Sequence, residues 1–180
     1  MKDLRKKVYL TAGYNTISLG TGRKEFNPKK ERPDIEYYIR EAGQGSIQKI
    51  NGVKHIDEVV FGNFMASRFN HQANLPGFAA YIDDELRGKS STRTEGACCS
   101  GGLALLSGIK SVLADTSDVS LVLGVEVQNT VKAMYGADIL AGAGWFKKRK
   151  EEHAYFFPGQ FSNRAGAYGR LYGEEYMRKA

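Results

Sequence analysis

Short β-branched runs alternate along the chain with segments in which apolar residues recur at helical spacing. Strands are predicted over residues 7–12, 55–63, 90–97 and 119–125. Helices are predicted from residue 34 onward and over residues 75–86 and 98–115. The resulting order, βαβαβαβ, favours an α/β fold with a mixed or parallel sheet and right-handed crossovers.

Two of these segments support more detailed predictions. The run VSLVLGV at residues 119–125 is apolar on both faces, which predicts a strand at the centre of a parallel sheet. The first half of the helix over residues 98–115 is nearly free of polar residues on every side, which predicts a buried helix.

From residue 131 the chain is rich in glycine, aromatic and basic residues. We therefore predict two domains, 1–130 and 131–180.

The composition narrows the class of protein. A chain of 180 residues with 42% apolar and 26% charged residues is typical of a globular protein of about one domain, and it excludes disordered and disulfide-stapled classes. No run of about 18 apolar residues is present, so no membrane span is predicted. The two cysteines, Cys98 and Cys99, are adjacent, which fits neither a disulfide framework nor a zinc site. We expect no metal and a cytoplasmic location.

The net charge of +6 is concentrated in three basic clusters, at residues 2–7, 23–32 and 147–150. Such clusters are usually solvated surface. They also attract polyanions over long range, either a small molecule that carries phosphates or a nucleic acid. Nucleic acid is the least favoured partner, because no recognition-helix or RNA-binding motif accompanies the charge.

The segment around the two cysteines is the strongest candidate for chemistry. Cys98 is predicted where a strand turns into a helix, with Gly96, Gly101 and Gly102 around it. The unpaired N–H groups at a helix N-terminus favour an anion and stabilise a developing oxyanion, so a nucleophilic thiolate is one interpretation. A pair of small buried residues is equally compatible with the pattern, and a redox or metal role is a third alternative.

Several motifs resemble those of the thiolase superfamily. Residues 95–104, EGACCSGGLA, resemble the nucleophile motif of sterol-carrier-type and archaeal-type thiolases, in which E-x-A-C-A-S-G-G-L-A is common. Three other segments also resemble family motifs, and all of them occur in the family's order. Residues 56–63 (IDEVVFGN) resemble a second-strand element, residues 122–126 (VLGVE) a strand end, and residues 157–161 (FPGQF) part of the loop domain. The resemblance covers nearly the whole chain.

The resemblance implies a thiolase-like layered fold, with an incomplete N-terminal core at 1–130 and the start of an inserted loop domain at 131–180. It makes Cys98 the nucleophile that accepts an acyl group from acyl-CoA, with its own backbone N–H as one oxyanion-hole donor. The implied substrate is coenzyme A and its thioesters, with no covalently bound cofactor. Cys99 stands where the family usually has alanine, so we interpret it as a packing residue.

The sequence also departs from the family pattern. Thiolases carry an activating histidine, an oxyanion element and usually a second cysteine in the C-terminal half of a chain about twice as long, and those motifs are missing from these 180 residues. We therefore interpret the sequence as an N-terminal half. His55, His71 and His153 are predicted to be structural or exposed. His153 and Phe157 are weaker candidates for lining an acyl or coenzyme A channel.

The resemblance leaves other functions and partners open. A condensing enzyme of the hydroxymethylglutaryl-CoA synthase or ketoacyl synthase type is one alternative, and a non-catalytic subunit that keeps the thiolase fold as a scaffold is another. Family members form homo-oligomers through the strand before the nucleophile, here residues 90–97. Some sterol-carrier-like members, including 2-benzoylsuccinyl-CoA-type thiolases, work with a small zinc-ribbon/OB-fold subunit that binds acyl-CoA.

Overall fold

A computed structural model describes residues 6–18, 27, 29–50, 52–145, 147 and 153–179. Contacts divide the chain into two units, Met1–Gln128 and Asn129–Ala180. Within its described residues, the first unit contains a parallel sheet and helices, whereas the second is helical. The α/β class predicted from the sequence is confirmed. The assignment of the two units to a catalytic core and an inserted loop domain stays a prediction.

The secondary structure of the first unit alternates strands with helices. The strands are β1 (Glu58–Gly62), β2 (Ser90–Thr94) and β3 (Ser120–Gly124). The α-helices are α1 (Ile35–Ile47), α2 (Ala66–Phe69), α3 (Ala79–Ile82) and α4 (Ser100–Leu113). Single 3₁₀ turns lie at Gln48–Ile50, Leu75–Phe78, Asp84–Leu86 and Ala97–Cys99.

The three strands form a parallel sheet in the order β2-β1-β3. All five residues of β1 are buried, and β1 pairs with a neighbour on each side. The prediction that residues 119–125 form the central strand is therefore wrong, because β3 is an edge of the described sheet. A strand that is apolar on both faces is covered on both faces by other parts of the protein. The pattern does not indicate whether other strands pair with it on one side or on both sides.

The predicted strand at residues 7–12 is also wrong. These residues make no ladder hydrogen bonds, and all but one are exposed. Residues 7–11 line one side of a cavity of about 300 Å³, whose other lining includes Ile109 and Val112 of α4 and Val122 of β3. Among the described strands, none pairs with this segment.

The helix predicted from residue 34 is observed, whereas the helix predicted over residues 75–86 is divided. The helix α1 begins after Asp34, whose carboxylate accepts a hydrogen bond from the Tyr37 amide at 3.0 Å, and it continues through Gly43. A Cβ at Gly43 would lie 2.5 Å from Cγ2 of Ile82, so the glycine lets α1 and α3 approach closely. The predicted helix over residues 75–86 is wrong as a single helix, because Asp83 is extended and separates α3 from the turn that follows.

The two faces of the sheet pack differently. Val59 and Phe61 belong to the main apolar core, which also contains Ile39 of α1 and Ile82 of α3. Since successive side chains of a strand point to opposite faces, Val60 and Gly62 face the other side, where α4 packs. The sheet therefore lies between helical layers.

The helix α4 contacts the sheet through small residues. Ser100, Ala104 and Gly108 are buried, whereas Leu103 and Leu106 are 38% and 44% exposed. The prediction of a helix buried on all sides is wrong for the described part of the chain. Small side chains on the sheet side let the helix backbone come close to β1 and β3, while the larger leucines lie on the opposite side.

The second unit contains three described helices, α5 (Ala133–Ala141), α6 (Phe156–Tyr172) and α7 (Glu174–Lys179). Ile139, Ala141 and Gly159 are its buried residues among those described. In neither unit does a described helix combine the length and hydropathy needed to cross a membrane.

Candidate active site

Cys98 lies in the 3₁₀ turn Ala97–Cys99, which joins the end of β2 to the start of α4. Both Cys98 and Cys99 are exposed and free. Ala97 has a φ of 50°, in the left-handed region that a residue with a side chain rarely adopts. The strand therefore turns sharply into the helix and leaves the Cys98 side chain at the surface.

Ser100 holds this turn together from inside. Its hydroxyl donates to the carbonyl of Ala97 at 2.7 Å and accepts from the amide of Gly96 at 3.1 Å. The Thr94 hydroxyl at the end of β2 lies 3.4 Å from the Ser100 carbonyl, and Ser100 is only 5% exposed. A buried hydroxyl on the first residue of α4 that bonds to Gly96 and Ala97, before Cys98, fixes the path of the backbone around Cys98.

One amide in this turn has no acceptor among the described residues. The Ala97 amide donates to the Glu95 carboxylate at 2.6 Å, the Cys99 amide donates to the Gly96 carbonyl at 2.9 Å, and the Ser100 amide donates to the Ala97 carbonyl. Within the described chain, no acceptor contacts the Cys98 amide. Cys98 thus presents a thiol and an unpaired N–H from the same residue.

The end of β1 supports the start of α4 directly. A Cβ placed on Gly62 would lie 2.6 Å from the carbonyl oxygen of Ser100 and 2.9 Å from Cα of Gly101. Both atoms belong to backbone, which cannot turn aside as a flexible side chain does. The absence of a side chain at position 62 therefore sets how closely the helix that follows Cys98 approaches the sheet.

A hydrogen-bonded clamp, formed by Asn63, Glu126 and Arg93, closes the same end of the sheet. The Glu126 carboxylate accepts from the Asn63 side-chain amide at 3.1 Å and from the backbone amides of Phe64 at 2.8 Å and Met65 at 3.2 Å. From β2, Arg93 donates to the Phe64 carbonyl at 2.7 Å. The clamp therefore fixes the loop that follows β1.

Asn63 and Glu126 belong to the thiolase-like motifs at residues 56–63 and 122–126, but the sequence predicted no role for either residue. A sequence signal was nevertheless present, because Asn63 directly follows β1 and Glu126 lies two residues beyond the end of β3, and the carboxyl ends of parallel strands meet at one edge of a sheet. Cys99 was interpreted as a packing residue, and that prediction is wrong because Cys99 is exposed. Its exposure also removes the alternative in which both cysteines are small core residues.

All three histidines are exposed. His55 and His71 are exposed in the first unit, as predicted. His153 is exposed in the second unit, where its Nε2 lies 3.4 Å from Oδ1 of Asn163. Phe157, also in the second unit, is half-buried and meets Phe156 edge to face at 5.1 Å between ring centroids. The channel-lining role of His153 and Phe157 stays a prediction.

Most of the basic clusters at residues 2–7, 23–32 and 147–150 lies outside the described residues. Their binding of a polyanion, coenzyme A included, stays a prediction. Across the described ranges, no group of three or more His, Cys, Asp or Glu side chains is arranged to hold a metal ion.

Comparison with known proteins relates the chain to archaeal enzymes. No protein-family model matches it. Acetyl-CoA acetyltransferase of Methanocaldococcus jannaschii is 37% identical over 115 residues, which cover 63% of this chain and 29% of that protein. Acetyl-CoA acetyltransferase of Methanothermobacter thermautotrophicus is 39% identical over 97 residues, which cover 52% of this chain and 24% of that protein.

These similarities agree with the α/β fold and support the resemblance of the sequence motifs to those of the thiolase superfamily. The matched stretch spans less than a third of the length of either archaeal relative.

Proposed function

We propose that the protein is an acyl-CoA C-acyltransferase of the thiolase type, with Cys98 as its nucleophile. The reaction is the cleavage of a 3-oxoacyl-CoA by coenzyme A, or the reverse Claisen condensation. The observation that supports it best is the exposed Cys98 thiol beside its own unpaired amide, on a turn fixed by Ser100. The two relatives named acetyl-CoA acetyltransferase support the same reaction class.

The chemistry proceeds in two covalent steps. In the cleavage direction, the Cys98 thiolate attacks the 3-oxo carbon, and a C–S bond forms as the carbonyl oxygen becomes an oxyanion. The Cys98 N–H donates to that oxyanion, and such a preorganised donor typically contributes about 3 kcal/mol to transition-state stabilisation. Collapse breaks the bond between carbons 2 and 3, leaves the shortened acyl group on Cys98 and releases acetyl-CoA as a carbanion that takes up a proton. The thiol of coenzyme A then removes the acyl group from Cys98.

Acylation of Cys98 is the decisive test. The protein is incubated with acetyl-CoA, acid-quenched and examined by peptide mass spectrometry. We expect an acetyl group on Cys98 in the unmodified protein and in Cys99→Ala, which serves as the matched control. Cys98→Ala should carry none. An acetyl group on Cys99, or none on either cysteine of a folded protein, would contradict the proposal.

The products distinguish the thiolase reaction from the alternatives. With acetoacetyl-CoA and coenzyme A, a thiolase releases acetyl-CoA as its product. A condensing enzyme of the hydroxymethylglutaryl-CoA synthase or ketoacyl synthase type also acylates its cysteine but converts the acyl-enzyme to a condensed product. A scaffold subunit neither acylates nor turns over. Chromatography of the coenzyme A thioesters separates these three outcomes.

We also propose that a second copy of the chain pairs along β2. This strand is the second edge of the described sheet, and Ser90 and Thr92 are exposed on it. Unpaired edge strands readily pair with another chain, and lysines on an edge block such pairing. Light scattering should show an oligomer that Ser90→Lys combined with Thr92→Lys disrupts. A small zinc-ribbon/OB-fold subunit that binds acyl-CoA is the proposed hetero-partner, to be tested by co-purification.

A further inference from the structure

The second cysteine of the turn has no packing role that would explain it. Cys98 and Cys99 are sequence neighbours, both exposed and both free. Cys99 begins α4 as its N-cap residue, yet its side chain makes no capping hydrogen bond. Where the thiolase motif usually has alanine, this chain thus presents a second accessible thiol next to the proposed nucleophile.

We propose that Cys99 is a resolving thiol that protects Cys98 from hydroperoxides by forming a disulfide between the two neighbours. An exposed nucleophilic cysteine is vulnerable, because oxidation beyond the sulfenic acid is largely irreversible. A thiol on the next residue is tethered to the sulfenic acid by the chain, so distortion of the turn lets it capture the sulfenic acid before a second oxidant molecule arrives. The inference rests on the same reactive Cys98 as the proposed function, but it needs no acyl-CoA.

The chemistry balances with a hydroperoxide as the oxidant. The Cys98 thiolate attacks one peroxide oxygen, an S–O bond forms, and the O–O bond breaks to release an alcohol or water. The Cys99 thiolate then attacks the Cys98 sulfur, an S–S bond forms, and the sulfenic oxygen leaves as water after protonation. Two thiols lose two electrons and two protons, and the hydroperoxide is reduced by two electrons.

The covalent geometry predicts that this disulfide is easily reversed. Neighbouring Cα atoms are ~3.8 Å apart across a trans peptide, whereas disulfides usually join Cα atoms at least ~4.4 Å apart. The turn must therefore distort, and it contains the hydrogen bond from the Cys99 amide to the Gly96 carbonyl. Gly101 and Gly102, which follow Ser100, have nothing within 4 Å of the position that a Cβ would take. Strained disulfides are the ones that thiols reduce readily.

The test follows the oxidation state of the full protein by mass spectrometry. The protein, Cys99→Ala and Cys99→Ser are treated with hydrogen peroxide without acyl-CoA, and each is analysed before and after dithiothreitol. We expect the unmodified protein to lose two hydrogen atoms within one chain and to regain them on reduction. In both variants Cys98 should accumulate the sulfinic form, with two added oxygen atoms, roughly tenfold faster than in the unmodified protein. Circular dichroism verifies that each variant is folded.

Three results would overturn the inference. One is an equal rate of sulfinic acid formation on Cys98 in the unmodified protein and in the two Cys99 variants. Another is loss of two hydrogen atoms in Cys99→Ala, which would assign the bond to a backbone nitrogen. The third is a disulfide found between two chains rather than within one. If acylation by acetyl-CoA fails while the reversible disulfide forms, the proposed function falls and this inference stands.

Discussion

The side-chain amide of Asn63 donates to the carboxylate of Glu126 at 3.1 Å and to the carbonyl of Val125 at 2.8 Å. Asn63 directly follows β1 and is 1% exposed, whereas Glu126 lies beyond the end of β3. The contact joins two motif residues that are far apart in sequence. It ties the ends of two neighbouring strands together on the side where Cys98 emerges from β2.

Removal of the Glu126 carboxylate should weaken this edge of the sheet. Glu126→Ala leaves the Asn63 amide without one of its acceptors and frees the backbone amides of Phe64 and Met65. We expect the free energy of unfolding to fall by about 1–3 kcal/mol, and by less in Glu126→Gln, which keeps one acceptor oxygen. Urea unfolding measures the change. Glu85→Ala, at an exposed glutamate, is the control, and an equal loss there would contradict the clamp.

A side chain at Gly62 should displace α4. In Gly62→Ala the new methyl group meets the Ser100 carbonyl at 2.6 Å, and overpacking of this kind costs about 1–3 kcal/mol. Gly124 is its partner in the sheet register and has nothing within 4 Å of its Cβ position, so Gly124→Ala is a matched control. Urea unfolding and the rate of Cys98 alkylation should both change in the first variant only. Equal behaviour of the two variants would argue against the close approach.

The left-handed backbone of Ala97 predicts an unusual response to glycine. Its φ of 50° costs a residue with a Cβ roughly 1 kcal/mol, which glycine does not incur. Ala97→Gly should therefore leave the free energy of unfolding unchanged or raise it by up to about 1 kcal/mol. Ala104→Gly, in the middle of α4, should lower it by about 1 kcal/mol or more. A clear loss of stability in Ala97→Gly would show that this turn is not strained.

Asp57 makes stability depend on acid pH. The amides of Val119 and Asp118 donate to its carboxylate at 3.0 and 2.9 Å and hold the pKa of that carboxyl below its usual range. A lowered folded-state pKa stabilises the protein above the unfolded value of ~3.9, and the contribution is lost as the pH falls through the folded value. Asp57→Asn should therefore be less stable at neutral pH, with the difference vanishing in acid. A difference that does not vary with pH would contradict this.

The parts of the fold that depend on local sequence pattern could be predicted from the sequence. Asp34 predicted the start of α1 because it can accept from the first-turn amides, and the β-branched run of residues 56–61 predicted β1 because those side chains pack on a sheet. The position of Cys98 between a strand and a helix was also predictable, since glycines and small residues mark the turn. These features depend on neighbours along the chain.

The rest depends on contacts that hydrophobic periodicity does not encode. Nothing in residues 7–12 reports whether a partner strand is present, and Asp83 interrupts a helical pattern by adopting an extended backbone. Leu103 and Leu106 are exposed because the small residues of α4 face the sheet. The composition of the helix does not show which of its faces packs on the sheet. The Asn63 to Glu126 contact pairs residues 63 positions apart, and a single sequence does not reveal such pairing.

The buried central strand has a kinetic consequence. Amides of β1 are released for hydrogen exchange with deuterated water only when the sheet opens, since all five residues are buried and both neighbours are paired. Residues 7–12 lack such bonds, and side-chain contacts near their two ends, from Lys6 to Asp115 and from Tyr14 to Glu41, attach this segment to the unit. Their amides should exchange many times faster. One exchange experiment thus reports separately on global opening and on the release of this segment.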